Sequence, residues 1–289
     1  MSTSSTTQYA SRSSAGVASA AGTGTHRQTD TAPATGVIVY EQPLNERTRI
    51  FMRLEYLFRQ AGYHLEGTSE WDSRATLNCI LEIVDIFSNT NLKSEVIKEL
   101  ERHSANLKRL GENPAVDPDQ LGLLLGRINT HIDSMHGING QIASELKCSE
   151  FLTSIRQRNA IPGGTCDFDL PAFHYWLQQP AGIRNQDLCR WLGNFDAIGQ
   201  AIRMILSMTR DSTPLKRAVA KHGLYQRTLD PNLPCQLIRI ALPAGLPCFA
   251  ELSGGRHRFT ARFLHFSAAE ERARQTDQDI EFELACCVI

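Results

Sequence analysis

The apolar positions of this chain recur every three to four residues through its first two thirds and every two residues after Pro214. Those two periods predict helices first and strands later. Val37-Ile38-Val39-Tyr40 is a short β-branched run ended by Pro43 and reads as an opening strand. Asn45 then caps a helix carrying Ile50, Leu54, Leu57, Phe58 and Ala61 on one side. Ser69 followed by Asp72 resembles a capping box, ahead of Ile80, Ile83, Val84 and Phe87. A third helix carries Val96, Leu100, Leu107 and Leu110. A fourth opens on Asp117-Pro118 and runs through Leu121, Leu124, Leu125, Ile128, Ile132 and Met135. A fifth is expected from about Gln141 to Asn159, and another helical stretch from about Asn185 to Ser212. Pro162-Gly163-Gly164 stops the helical run, and Thr165–Leu170 alternates like a strand. The two glycines read as the point where the chain turns from the helical part toward the strands.

After Pro214, Ile238, Ile240 and Leu242 alternate along one strand. Phe259, Ala261 and Phe263 mark a second, and Ile280, Phe282, Leu284 and Cys286 a third. Ala244–Pro247 and Ser253-Gly254-Gly255 supply turns, and an antiparallel meander is the expected arrangement. The fold class is therefore α+β, an N-terminal helical domain plus an antiparallel β-sheet domain. Three regions are expected. Residues 1–36, rich in Ser, Thr, Ala and Gly, form a low-complexity tail too poor in apolar side chains to order itself. Residues 37–213 are mainly helical, with strand 37–42 and segment 165–182 packing on the β part, and residues 214–289 are the β domain.

Composition narrows the function. The chain has 289 residues, 42% apolar and 21% charged, with net charge −1. No apolar run approaches the roughly 20 residues of a membrane span, and no secretory signal pattern opens the chain. The eight cysteines are scattered, so free thiols in a reducing cytosol are expected. Phosphate-loop, dinucleotide, zinc-protease and serine-elbow motifs do not occur. His131 and His136 stand five apart, on different faces of a helix, which disfavours a metal site. Neither catalytic residue, cofactor nor metal is expected. Cys166 with His174 is the one imaginable nucleophile and base, and a packed core cysteine is the preferred reading. The last four residues, Cys286 to Ile289, fit a prenylation pattern. A strand runs straight into them without an upstream polybasic segment, so thiols at a strand end are preferred.

The near-zero net charge conceals a local excess. Residues 214–265 carry +6 and residues 266–289 carry −4. Strand parity puts Arg256, Arg258 and Arg262 on one face, opposite Phe259, Ala261 and Phe263. Such a face suits carboxylates through bidentate hydrogen bonds. Two other readings stand beside it: internal pairing with Glu281 and Glu283 across the sheet, and nucleic-acid binding without interleaved aromatic side chains.

Four segments together resemble the ZapD family of Z-ring-associated cell division proteins. They are Tyr40–Glu46 leading to Arg49, Arg53 and Glu55; Arg156-Gln157-Arg158 with Ile161–Gly164, Cys166, Phe168–Pro171, His174 and Trp176; Ser253-Gly254 with Arg256, Arg258-Phe259 and Arg262-Phe263; and Phe282–Cys287. The resemblance spans about residues 37–287, and the tail and Val288-Ile289 lie beyond it. It implies a non-enzymatic homodimer at the mid-cell division site that binds the charged C-terminal tail of FtsZ and bundles its filaments. Nucleic acid and membrane insertion have no part in it. The positions matching the family's basic pocket are Arg256, Arg258 and Arg262, with His174, Arg53, Arg49, Arg156 and Arg158 as further candidates.

Overall fold

The computed structural model describes residues 36–138, 140–265 and 272–288, so the low-complexity segment, Gly36 apart, lies outside the described residues. The chain opens with strand β1 (Val37–Pro43). Nine helices follow among the described residues: α1 (Glu46–Leu65), α2 (Glu70–Asn89), α3 (Leu92–Leu110), α4 (Pro118–Gly137), α5 (Ser144–Cys148), α6 (Glu150–Asn159), α7 (Pro171–Leu177), α8 (Ala181–Gly193) and α9 (Asp196–Asp211). Seven strands close it: β2 (Lys216–Ala220), β3 (Leu224–Thr228), β4 (Cys235–Pro243), β5 (Cys248–Gly254), β6 (Arg258–His265), β7 (Arg274–Gln275) and β8 (Ile280–Val288).

The helix starts follow local chemistry. Asn45 accepts the Thr48 amide at 2.8 Å, Ser69 and Asp72 complete a reciprocal capping box, and Asp117 accepts two amides ahead of Pro118. The single helix expected over Gln141–Asn159 is two. Ser149 leaves helical geometry (ψ 114) and its hydroxyl caps α6 through the Leu152 amide. A serine able to serve as cap competes with the continuous ladder.

Segment 165–170 is a series of turns and not a strand. Gly163 adopts φ 71, and a Cβ on Gly164 would stand 2.5 Å from the Arg158 carbonyl, so the chain folds back tightly on the end of α6. It then enters α7, so these glycines do not lead into the strands. Phe173, Trp176 and Leu177 of α7 pack in the helical core, with Phe151 and Trp191 against Trp176, and not on the sheets.

The expected meander is instead a pair of stacked antiparallel sheets. One has the order β1-β4-β8-β2; the other is β3-β6-β5 with β7 on β6. Ile238, Ile240 and Leu242 of β4 meet Phe259 and Phe263 of β6 between the sheets. Leu237, Ala285 and Cys287 on the opposite face meet Met52 of α1. The first sheet is therefore covered on both sides, by the second sheet and by the helices. This double burial explains why apolar residues fill both faces of β4 over Leu237–Leu242, Arg239 alone excepted.

Four charged side chains join helices to sheet. Arg210, in the last turn of α9, donates from Nε to Glu41 of β1 at 3.0 Å and from Nη2 to Glu55 of α1 at 2.7 Å. Arg239 of β4 donates to Glu41 at 3.0 Å and to the Arg210 carbonyl at 3.0 Å, which satisfies an orphan carbonyl at the end of α9. These side chains are 17–23% exposed. Hydrogen bonding to Glu55 and then Glu41 raises the Arg210 pKa above its ordinary value. Removing one member strands charge at low dielectric. Arg210→Met should therefore lower unfolding free energy by about 3 kcal/mol in urea denaturation, against at most about 0.5 kcal/mol for Arg190→Met on the surface of α8.

His103 of α3 is buried, and desolvation, then the Arg102 charge, hold its pKa near 4. The folded form stays neutral where the unfolded chain, with a pKa near 6.5, already binds a proton. Stability from this group is intact above pH 6.5 and is lost as pH falls from 6.5 to about 4. His103→Phe should flatten the dependence of the denaturation midpoint on pH within that window.

Candidate functional site

Register fixes which side chains share the outer face of the second sheet. Arg258 stands opposite Thr228, Thr260 between Gln226 and Ser253, and Arg262 between Leu224 and Glu251. Arg258 and Arg262 are exposed while Phe259, Ala261 and Phe263 beneath them are buried, so the parity inferred from sequence holds over β6. Arg256 lies in the turn before β6.

The partner expected for this face is different. Glu281 and Glu283 belong to β8 in the other sheet, where they stand opposite Val219 and Arg217. Internal pairing falls instead to Glu251 of β5, whose carboxylate accepts from Arg262 at 2.5 Å. Among the described residues, Arg262 alone of the three reaches a carboxylate. Arg256 and Arg258 line a shallow pocket of about 470 Å³ with Gln226, Ser253, Gly254, Gly255 and His257. Its hydrogen-bonding groups are predominantly donors, which suits an acidic ligand.

The same turn abuts the start of the helical part. Leu44, between β1 and α1, approaches Gly254 so closely that a Cβ there would stand 3.0 Å from Leu44 Cδ2 and 2.8 Å from Phe259 Cβ. Leu44 is held by the hydrogen bond its N–H donates to the Gln236 carbonyl (2.9 Å), and Asn45 donates to the Gln236 side chain at 2.6 Å. From this junction rises α1 with Arg49 and Arg53, which line a second groove of about 460 Å³ with Pro43, Met52, Tyr56, Leu57, Glu82 and Ile86. Arg49 contacts Glu46 of its own helix at 3.5 Å.

The remaining candidates lie on the helical part and are paired with carboxylates. Arg156 reaches Asp85 of α2 at 3.4 Å and Arg158 reaches Asp169 at 3.9 Å. His174 Nδ1 lies 3.0 Å from Asp167. The Thr165 carbonyl in this segment takes a hydrogen bond from Arg74, near the start of α2. Arg74 stands about 12 Å along that helix from Glu82 of the α1 groove, whereas Asp85, the partner of Arg156, is next to Ile86 of that groove. Cys166 is exposed and not a packed core residue, because the segment expected as a strand turns outward. No hydrogen bond joins Cys166 to His174 among the described residues. Cys286, the first residue of the prenylation-like ending, is paired within β8 opposite Ile238, and its neighbour Cys287 is buried.

Two groups were missed in the sequence. Arg59 of α1 and Arg203 of α9 border a cleft of about 780 Å³ that reaches the Arg210 cluster. Helical spacing marks them as exposed, and nothing in their own segments signals that α1 and α9 lie side by side. Arg184 of α8 is buried without a carboxylate, donating to Ser73 Oγ and to the Thr68, Leu177 and Gln179 carbonyls. It fixes the α1–α2 loop against α7 and α8.

A family model named ZapD and described as a cell division protein matches residues 52–262. Relatives agree over nearly the whole folded chain. The cell division protein ZapD of Methylococcus capsulatus is 42% identical over 252 residues, 87% of this chain and 98% of that protein. The chain belongs to the ZapD family. ZapD of Chromobacterium violaceum is 36% identical over 87% of this chain and 99% of its own length. ZapD of Coxiella burnetii is 35% identical over 87% and 98% respectively. The matched span contains both ends of the arginine arrangement, Arg53 on α1 and Arg262 on β6, with Arg49 just ahead of it.

The contact between Leu44 and Gly254 carries the site's geometry. Gly254→Ala forces the extra carbon against Phe259, which is fully buried and has little room to shift. A loss of about 1–3 kcal/mol in unfolding free energy is expected, with Gly245→Ala in the open β4–β5 turn as the neutral control.

Proposed function

We propose that this ZapD-family chain is a bacterial cell division factor of the cytoplasm that binds the C-terminal tail of FtsZ. As a homodimer it cross-links neighbouring FtsZ filaments and promotes assembly of the Z ring at mid-cell. The observation that carries the reading is the position of Arg256 in the β5–β6 turn and Arg258 on the outer sheet face, without a carboxylate partner among the described residues, on the turn that Leu44 joins to the foot of α1 with Arg49 and Arg53. Acidic groups of the tail bind the arginine turn, where guanidinium forks meet carboxylates in pairs. Apolar side chains of the tail enter the groove formed by Met52, Tyr56, Leu57 and Ile86. The Leu44–Gly254 contact keeps the two halves at a fixed separation, which lowers the ordering cost of the bound peptide. No chemical step is part of this role.

Bundling requires two such sites in one particle. α4 supplies the surface for a second copy. Of its twenty residues only Ile128 and Met135 are buried, and Leu123 is 65% exposed, with Leu110 of α3 nearby in sequence at 56%. A helix this apolar and this uncovered fits association with its own equivalent across a twofold axis.

The second reading, nucleic-acid binding by the same arginine face, keeps the charge but lacks its aromatic platform. The outer positions of β3 and β6 are Leu224, Gln226, Thr228, Arg258, Thr260, Arg262 and Leu264, and β5 adds the single partly buried ring of Phe249, so successive bases have no series of rings to stack on.

Sedimentation of polymerised FtsZ tests the reading. Intact FtsZ should pellet with this protein as bundles, and FtsZ lacking its C-terminal tail should not. Arg258→Glu should weaken tail binding ten- to a hundred-fold, as loss of a charge-assisted hydrogen bond of about 1.5–3 kcal/mol requires, and binding should fall steeply with salt. Leu123→Glu should abolish bundling while a single tail still binds. Equal bundling of the tailless form, or oligonucleotide binding tighter than tail binding, overturns the proposal.

A further inference from the structure

A thiol pair occupies the end of the sandwich where β4 begins and β8 finishes. Successive residues of a strand face opposite ways. Cys287 accordingly turns to the helices and is fully buried, with burial raising its pKa to about 11, while Cys286 turns between the sheets and is half-buried. Regular alternation would put Cys235 on the same side as Leu237, facing the helices. The pairing of β4 with β8 shifts between those two residues, so Cys235 stands opposite Val288 and lies on the sandwich side with Cys286. The bulge residue Gln236 is buried and anchored by its bonds to Asn45 and the Pro234 carbonyl, so the irregularity is built into the junction.

Both sulfurs open onto one cleft of about 400 Å³ whose charged lining is Lys216, Arg217, Arg227 and Asp230. Arg227 of β3 points Nη1 at Cys286 Sγ from 3.8 Å. The Cys235 thiol donates to the Leu237 carbonyl at 3.6 Å, and its proximity to Cys286, with the Arg227 charge, brings the Cys286 pKa down to about 7 against the opposing effect of burial. The neighbouring Cys286, then burial, raise the pKa of Cys235, which keeps its proton. One sulfur is thus nucleophilic near neutral pH and its neighbour is protonated beside it.

We propose that Cys286 and Cys235 form an oxidation site, converted to a disulfide by hydroperoxides. The Cys286 thiolate attacks the O–O bond of hydrogen peroxide, forming a sulfenic acid and releasing hydroxide, which is protonated to water. Cys235 sulfur then attacks the sulfenic sulfur; the S–O bond breaks, the Cys235 proton leaves with the hydroxyl as a second water, and the S–S bond forms. Two electrons pass from the two sulfurs to one peroxide. The crosslink staples β4 to β8 beneath Gln236, the residue that also holds Leu44 and Asn45 at the arginine site.

The test uses the reduced full chain, one equivalent of hydrogen peroxide, rapid alkylation, and non-reducing peptide mapping by mass spectrometry. Exposed Cys148, Cys166 and Cys189 serve as internal references. Cys286 should be consumed at least tenfold faster than these three, yielding a linked Cys235–Cys286 peptide, with a rate that rises through about pH 7. Cys235→Ser should instead leave a sulfenic acid on Cys286 that a dimedone probe captures. If Cys286 reacts no faster than the exposed thiols, or if it links to another cysteine, the proposal is overturned.

Discussion

The relation between helices and sheets depends on the cluster of Arg210, Glu41, Glu55 and Arg239. These residues come from α9, β1, α1 and β4, and all four elements meet there. Two carboxylates face two guanidinium groups, so the cluster is neutral in sum while each charge is largely withdrawn from water. Such an arrangement gains little over apolar packing, but it is strongly directional. Bidentate geometry admits one orientation of α9 over the sheet, where sliding apolar surfaces would admit several. The arginine at the end of α9 also sits at the negative pole of that helix, and Arg239 donates to one of its last carbonyls, that of Arg210.

From that fixed point the candidate site follows. β1 is pinned through Glu41 and pairs with β4 along Val37–Pro43, which sets where Leu44 emerges. Leu44 bonds back to Gln236 and meets Gly254 at the end of β5. The β5–β6 turn is therefore held against the foot of α1, and two groups of arginines distant in sequence become neighbours across one contact. Only a residue without a side chain allows that approach, since Phe259 already fills the space below.

Elements with one dominant period were readable in the sequence. α1 to α4 and α9 show a 3.6-residue stripe, with side-chain caps opening α1, α2 and α4, and β4, β6 and β8 alternate because buried and exposed sides differ. β2, β3 and β5 are short and partly exposed, so their alternation is weak. Segment 165–170 alternates by accident: Phe168, an apparent core residue, is 84% exposed in a turn. Sheet membership was not readable at all. β6 and β8 look alike as strings, yet they lie in different sheets, and this is why Glu251 rather than Glu281 or Glu283 meets Arg262. Long-range pairings such as Arg210 with Glu41 leave no local trace.

The arginines show why residue type alone does not define a binding site. Arg47 binds Glu95 and Glu99, Arg184 is enclosed by carbonyls, and Arg210 and Arg239 share the junction. All four hold elements together, and their charge is consumed within the fold. Arg262 is half committed to Glu251 at an exposed edge, where solvent weakens the pair. Arg256 in the turn, which the Gly255 amide closes onto the Arg258 carbonyl, and Arg258 at the start of β6 flank a buried phenylalanine, with hydrogen-bond donors and no acceptor of opposite charge among the described residues. Donor groups in that state are solvated in the free protein and exchange water for carboxylate with little rearrangement. A guanidinium becomes available to a partner where the backbone is fixed and the internal counter-charge is missing, and in this chain those two conditions coincide at the β5–β6 turn.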